Sequence, residues 1–272
     1  VQFLAKNIWK YAISRINFRE LIIAAMLKTE RQAYILRQID LHNRILSSDL
    51  SNEINVSEDT IRRDLNELAE MDKIIKVHGG ALSKSFHSSF LKSDVYKADS
   101  KRVIASKAVS LIRNNMFILT TGGTTVIEMA RLLPSDLNAT FFTGSIPAAH
   151  EYAQHPNIEV IFLGDKISKS SQIAVGGEAI SKIAGIKADL CIMGINAIDE
   201  TGITDNDWEV IQVKKAMIQA AEKTVILSIS EKLNTHQRLT ICGLNEINTI
   251  ITELDPSNPV FEPYKKQGIT IL

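Results

Sequence analysis

The chain has 272 residues, with 31 Lys plus Arg against 31 Asp plus Glu and only two cysteines, Cys191 and Cys242. That length suits one large domain or two smaller ones, and a zero net charge by itself predicts no nucleic-acid or membrane partner, so any partner must be read from local placement. Two distant cysteines without a partner motif argue against a disulfide scaffold or a zinc site; they read as small buried apolar residues in a reducing, cytoplasmic compartment.

The opening stretch, VQFLAKNIWKYAISRINFRELIIAAM, is apolar but interrupted by Lys6, Lys10, Arg15, Arg19 and Glu20. No uninterrupted span is long enough to cross a bilayer, and the compact basic-then-apolar order of a secretion signal is missing. Residues 1–27 read as an extension, either an amphipathic helix or a segment upstream of a natural start at Met26, with no function assigned.

From Lys28 the pattern becomes regular. Tyr34, Ile35 and Ile39 keep helical spacing and predict a helix of about three turns. In the next segment Ser47 is the expected N-cap, and Leu50 and Ile54 share a face. Asn55 falls where a tight helix-to-helix turn needs a left-handed residue, which asparagine tolerates. Val56 and Ser57 open the following helix. Ser57 can cap it, and Glu58 and Asp59 suit the positive end of its dipole.

On that helix Ile61, Leu65 and Leu68 form the buried stripe. Stepping about 100° per residue from Ile61 puts Arg63 almost opposite the core. Thr60 and Glu67 flank it on one side, Asp59 and Asn66 on the other, with Arg62 further round. Polar and cationic groups on the face turned away from the core are what a major-groove recognition helix needs, because an arginine fork pairs bidentately with guanine or grips phosphate. KIIKVHGGA then reads as a short strand and a glycine turn in which Lys76 and His78 alternate with Ile75 and Val77. The competing reading is an ordinary solvated helix face, since acidic residues here match or outnumber the basic ones.

LSKSFHSSFLKSDVYKADSKR is polar, serine-rich and aperiodic, and residues 83–100 are expected to link two domains. From Lys101 helical segments alternate with apolar runs. KRVIASKAVSLIRNN, TVIEMARLL, IPAAHEYAQ and DWEVIQVKKAMIQAAE are the helices; MFILTT, ATFFT, IEVIFLG, DLCIMGI and TVILSIS are the strands. That order predicts an open, mostly parallel α/β sheet covered on both faces over residues 101–272.

Ligands of open α/β sheets sit in the loops after the strands. TTGGTT, Thr120 to Thr125, presents amides and hydroxyls at a helix N-terminus and is a candidate anion site. Thr143, Gly144 and Ser145 hold the same place after the next strand. Gly164, Asp189, Gly194, Asn196 and Lys232 complete the set. Hydroxyls, glycine amides, a carboxylate and a lysine would suit a phosphorylated polyol.

LSSDLSNEINVSEDTIRRDLNELAEMDKIIKVHGGA closely resembles the winged helix-turn-helix of the DeoR family of bacterial transcriptional regulators, in the ordered core VS…TIRRDL…L followed by VHGGA. The resemblance implies DNA contacts from Ser47, Ser57, Asp59, Thr60, Arg62, Arg63, Asn66, Lys76 and His78 within residues 28–82. Asp72 stands where the family usually has glycine, and Lys76 where it usually has arginine, trading a planar fork for a point charge.

The second half is similar to the family's effector domain, related in fold to ribose-5-phosphate isomerase and CoA transferases, so the resemblance runs from about Lys28 to about Thr252. It implies sugar-phosphate contacts from Gly123, Thr124, Thr125, Thr143, Ser145, Gly164, Gly177 and Lys232. Four places depart from the family: Thr121 replaces aspartate, Gly144 asparagine, Asp165 the second of two glycines, and SISEK the common D-x-S-K.

The implied protein is a homo-oligomeric repressor on an operator duplex, released by a phosphorylated sugar, with no cofactor, no metal, no catalytic residues and no membrane partner. The alternative is a sugar-phosphate isomerase or transferase with an accessory helical domain, which would have to use Asp189 or Glu209 as its base.

Overall fold

The structure is a computed structural model that describes residues 27–84 and 95–272. The expected extension over residues 1–26 and the middle of the expected linker lie outside the described residues. The chain divides after Lys84 into two compact units.

In the first unit the order is α1 (Lys28–His42), β1 (Arg44–Leu46), α2 (Ser47–Ile54), α3 (Glu58–Glu70), β2 (Ile74–Val77) and β3 (Gly80–Ser83). Ile35, Ile39, Leu50, Ile54, Ile61, Leu65 and Leu68 form its core with Ile45 and Ile74, as helical spacing requires. Helix α1 has 15 residues, about four turns rather than three.

Three non-glycine residues of this unit with positive φ turn the chain: Asn43 at 62°, Asn55 at 51° and Asp72 at 59°. Asp72 therefore adopts the glycine-like conformation its position demands, and Lys84 pairs with its carboxylate. Strands order as β1–β3–β2, all antiparallel. Strand β1, only three residues long, was not expected.

Both glycines of VHGGA have mechanical reasons. Gly79 turns the β2–β3 hairpin at φ 76°. A Cβ on Gly80 would lie 2.0 Å from the Ile45 carbonyl oxygen, so only glycine lets β3 pass β1.

The second unit begins with α4 (Ala98–Val109), so both ends of the expected linker, Ser83 in β3 and Ala98 here, are in regular structure. It continues through β4 (Phe117–Thr120), α5 (Thr124–Arg131), β5 (Ala139–Thr143), α6 (Ile146–Tyr152), β6 (Ile158–Phe162), β7 (Lys166–Ser168), β8 (Ile173–Val175), α7 (Gly177–Ala184) and β9 (Ala188–Gly194). Then come β10 (Ala197–Asp199), β11 (Gly202–Asp205), α8 (Trp208–Gln219), β12 (Ala221–Leu227), β13 (Leu239–Cys242), β14 (Thr249–Ile251), α9 (Glu262–Lys265) and β15 (Thr270–Ile271).

Seven strands form one sheet in the order β15–β14–β12–β9–β4–β5–β6, every neighbour parallel. The chain builds outward from β4 through β5 to β6, then returns to β4's other side with β9. The crevice between the carboxyl ends of β4 and β9 is therefore the topological switch point. Ile118, Leu119, Cys191, Ile192 and Ile226 are fully buried in the sheet's middle, matching the near-continuous apolar runs of a sheet covered on both faces. A small antiparallel sheet, β10–β11–β13, and the β7–β8 hairpin complete the unit. Both cysteines are free and buried, and burial pushes each thiol up to about 12.

Candidate functional site

In the first unit Ser57 caps α3, its hydroxyl accepting from Thr60 N at 3.2 Å and lying 2.9 Å from Thr60 Oγ1. Arg62 is exposed but engaged by its own helix: its guanidinium donates to Glu58 at 3.1 Å and to Asp59 at 3.3 Å. Arg63, also exposed, makes no hydrogen bond or ion pair among the described residues. Asn66 accepts a hydrogen bond from the Lys76 ammonium, which ties the recognition-helix face to the hairpin. Lys76 and His78 are exposed as expected.

Ser47 is corrected. It is the first residue of α2, not its cap; Leu46 takes the cap position, and Ser47 is buried. Its amide donates to the Gly79 carbonyl at 2.8 Å, so it anchors the hairpin turn. Sequence reading also missed Asp64, which is buried and accepts from Arg31 Nε at 2.5 Å and from Gln32 at 3.3 Å.

In the second unit the loops after β4, β5 and β9 meet at the switch point. Gly123 caps α5 at φ 112°, which leaves the first-turn amides of Thr124 and Thr125 facing outward from the helix end. A Cβ on Gly122 would lie 2.8 Å from Ser145 Oγ, so the first two loops touch. The Thr143 hydroxyl donates to the Thr120 carbonyl at 3.0 Å and accepts from Ser145 N at 3.1 Å. Ser145 caps α6. Both side chains are buried, so these two hydroxyls hold the loops together rather than lie open to solvent. The space behind them is a narrow, largely apolar pocket lined by Thr120, Thr121, Gly144, Val210, Lys214 and Met217.

The residues after β9 act as a hub. The Gly194 amide donates to Thr121 Oγ1 at 3.0 Å. The Ile195 carbonyl accepts from Lys232 Nζ at 2.7 Å. Asn196 donates to Asp205 Oδ1 at 2.9 Å, and Asp205 Oδ2 pairs with Lys214 Nζ at 2.8 Å in a buried ion pair. The Thr121 hydroxyl thus supplies a side-chain acceptor for the Gly194 amide where the family usually carries aspartate.

Burial, reinforced by the nearby Lys101 and Lys214 ammonium groups, pushes the Lys232 amine down to about 7 against the opposing pull of Asp205. Asp205, Lys214 and Lys101 were absent from the sequence expectations. The signal was present for Lys214, which lies within the stripe of Val210, Ile211, Val213 and Met217.

Gly164 and Gly177 border a different feature. The Asp165 carboxylate accepts from Lys166 N at 2.6 Å and from Ala179 N at 3.1 Å, and these amides hold it below the usual carboxylate range. It is seated over the N-terminus of α7, where a Cβ on Gly176 would come within 2.6 Å of Asp165 Oδ2. The place an external anion would take is filled by the chain's own side chain. Gly177 is exposed, and the Gly164 carbonyl accepts from Lys182 at 2.9 Å.

Asp189 is the clear correction. It lies at the amino end of β9, where it accepts from the Phe117 amide at 2.7 Å. Gly194, at the carboxyl end, is five residues on, roughly 16 Å along the strand. Glu209, the other carboxylate an enzyme would need, is exposed and paired with Lys166 at 2.8 Å. The two do not converge on one site.

A capped helix with an outward arginine beside a hairpin, followed by a separate α/β unit with polar groups gathered at its switch point, defines a DNA-binding regulator with an attached sensor. Residues 31–86 match the DeoR-like helix-turn-helix domain and residues 96–254 the DeoR C terminal sensor domain. The chain belongs to the DeoR family of transcriptional regulators.

It is 31% identical over 253 residues to the HTH-type transcriptional repressor GlcR of Bacillus subtilis, spanning 91% of this chain and 96% of that protein. It is 28% identical to the glycerol-3-phosphate regulon repressor of Haemophilus influenzae (84% and 90%) and 30% identical to the L-fucose operon activator of Escherichia coli (84% and 96%).

Among solved structures it is similar to eIF2B beta from Chaetomium thermophilum, with a TM-score of 0.44 and 13% identity over 81% of this chain and 59% of that one. It is also similar to ribose 5-phosphate isomerase A from Methanocaldococcus jannaschii, with a TM-score of 0.38 and 20% identity over 51% and 55%. No helix among the described residues is long and apolar enough to cross a membrane.

Proposed function

We propose that this regulator is a repressor that binds its operator as a homo-oligomer through α3 and the β2–β3 hairpin, and that a phosphorylated sugar in the second unit releases it. Arg63 reads bases or grips phosphate, flanked by Ser57, Asp59, Thr60, Arg62 and Asn66, while Lys76 and His78 contact the backbone from the hairpin. One helix-turn-helix covers a half-site, so two copies on a repeated or palindromic operator are expected. In the sensor, the α5 turn at Gly123, Thr124 and Thr125 and the amine of Lys232 take the phosphate, and Asn196 faces the sugar hydroxyls. The relatives include both repressors and an activator by name, and repression with release follows the two repressors.

The observation that carries the DNA reading is the exposed Arg63 side chain, without a protein partner among the described residues and on the face away from Ile61, Leu65 and Leu68. Release requires only linkage: a ligand that lowers operator affinity 100-fold must favour the released arrangement by about 2.7 kcal/mol.

A gel shift on the protein's own upstream DNA tests both parts. Binding at low salt, its loss in Arg63→Ala with melting unchanged, and its loss on adding a sugar phosphate are the expected results. Absence of any shift at low salt, where phosphate contacts are strongest, overturns the DNA reading.

A further inference from the structure

Residues Ser230–Lys232 make a single 3₁₀ turn after β12, and each of its side chains holds a different part of the unit. Such a turn has about 3.0 residues per revolution, so successive side chains leave it roughly 120° apart. The Ser230 amide and hydroxyl donate to the Glu253 carboxylate beyond β14, at 3.0 and 2.6 Å. Lys232 Nζ donates to the Ile195 carbonyl of the β9 hub at 2.7 Å. Glu231, between them, reaches the segment that enters the unit. One of its carboxylate oxygens accepts from the Tyr96 hydroxyl at 2.7 Å, and the other pairs with Lys97 Nζ at 3.0 Å.

That clasp grips a strained piece of backbone. Lys97 stands at the N-cap of α4 with φ 54° and ψ 44°, a left-handed conformation that a lysine keeps only where its surroundings impose it. Its carbonyl accepts from the Lys101 amide at 3.0 Å, in the first turn of α4. The Tyr96 ring lies against the same turn, its centroid 5.9 Å from Lys101 Nζ. In sequence only residues 85–95 separate Tyr96 from Lys84, the last residue of the first unit. Glu231 therefore joins the immediate neighbour of Lys232 to the chain that arrives from the DNA-binding unit.

We propose that Glu231 is the positioning residue through which the sensor signals: its clasp on Tyr96 and Lys97 is closed in the operator-binding arrangement and open in the released one. The inference rests on the reading above, in which Lys232 takes a ligand and the operator is released, and it adds the route between the two events. When Lys232 turns from the Ile195 carbonyl to the ligand, the 3₁₀ turn rotates and draws Glu231 off its partners. Lys97 then loses the ion pair that holds its left-handed backbone, and the start of α4 relaxes along with the segment leading to the first unit.

The test uses the full chain on its own upstream DNA, with no ligand added. Glu231→Gln keeps the size of the side chain and removes its charge. It should weaken operator binding about tenfold, an ordinary size for coupling between sites, while melting cooperatively. Lys97→Arg keeps the cation and should bind as wild type does. Tyr96→Phe removes one hydroxyl and should weaken binding less, with an effect that shrinks in the Glu231→Gln background, as partners in one contact require. Hydrogen exchange at the Lys101 amide, which bonds to the Lys97 carbonyl, should quicken in Glu231→Gln.

Operator affinity unchanged in both Glu231→Gln and Tyr96→Phe, or Lys101 exchange unchanged in Glu231→Gln, overturns the clasp and leaves the regulator reading standing. An equal loss of affinity in Lys97→Arg also overturns it, because the charge pair is then not what couples. No shift by wild type at low salt sinks the regulator reading itself, and the exchange result still judges the hold of Glu231 on the start of α4.

Discussion

Asp64 and Arg31 form a part-buried ion pair, the Asp64 carboxylate taking two hydrogen bonds from the guanidinium and a third from Gln32. Asp64 is the immediate neighbour of Arg63, and one helical step separates a residue that braces the fold from one that faces solvent. Removing one partner of such a pair leaves an uncompensated charge. Asp64→Ala is expected to cost the first unit about 3–5 kcal/mol, read from urea unfolding. Arg63→Ala should stay within about 0.5 kcal/mol of wild type and lose operator binding. Equal stability losses would mean that Arg63 is part of the packing.

The hairpin glycines should differ in the severity of their loss. Gly80→Ala places a methyl against the Ile45 carbonyl and is expected to destabilise the first unit by at least about 3 kcal/mol. Gly79→Ala meets no atom within 4 Å, and its cost is the strain of a positive φ alone, about 1–2 kcal/mol. Chemical denaturation of the two variants, followed by tryptophan-independent circular dichroism, checks the ranking.

Lys232 gives a pH signature in stability. Its folded value of about 7 lies below the roughly 10.4 of an unfolded lysine. Below pH 7 both states carry the proton and the cost of burying it is fully present; between 7 and about 10 the unfolded state holds the extra proton, so stability rises with pH. Lys232→Met should flatten that rise and raise the denaturation midpoint at pH 6.5, at the expense of ligand binding. Parallel midpoint-versus-pH curves for the two proteins would refute it.

Asp165 makes the opposite kind of contribution. Its carboxyl is depressed by the Lys166 and Ala179 amides, so its support of α7 is present above the unfolded value near 3.9 and fades as pH falls through the lower folded value. Asp165→Asn and Asp165→Gly should speed hydrogen exchange at the Ala179 amide at pH 7. Wild type should approach that rate only in acid. Unchanged exchange in Asp165→Gly would show that the helix end needs no anion.

The first unit was largely legible because amphipathic spacing, Ser57, Asn55 and the glycine pair each carry a local reason for what they do. Asp64 was equally readable, since it sits three residues after Ile61 on the same stripe. In the second unit the long apolar runs gave five strands of the main sheet. Strands β7, β8, β10, β11, β13, β14 and β15 escaped because two to four residues hold too little periodicity, and α7 because its glycine start reads as loop.

Asp189 was misplaced for a geometric reason. It precedes the apolar run LCIM, and in a parallel strand whatever precedes the run lies at the end opposite the ligand loops. Lys101 and Lys214 were passed over as ordinary helix lysines, although each lies among residues that the structure buries.

The bond between Asn66 and Lys76 gears the hairpin to the reading helix. Under the proposed DNA reading, a phosphate that draws the Lys76 ammonium away would free the Asn66 amide on the helix, so backbone contact by the hairpin and exposure of a base-reading group would come together.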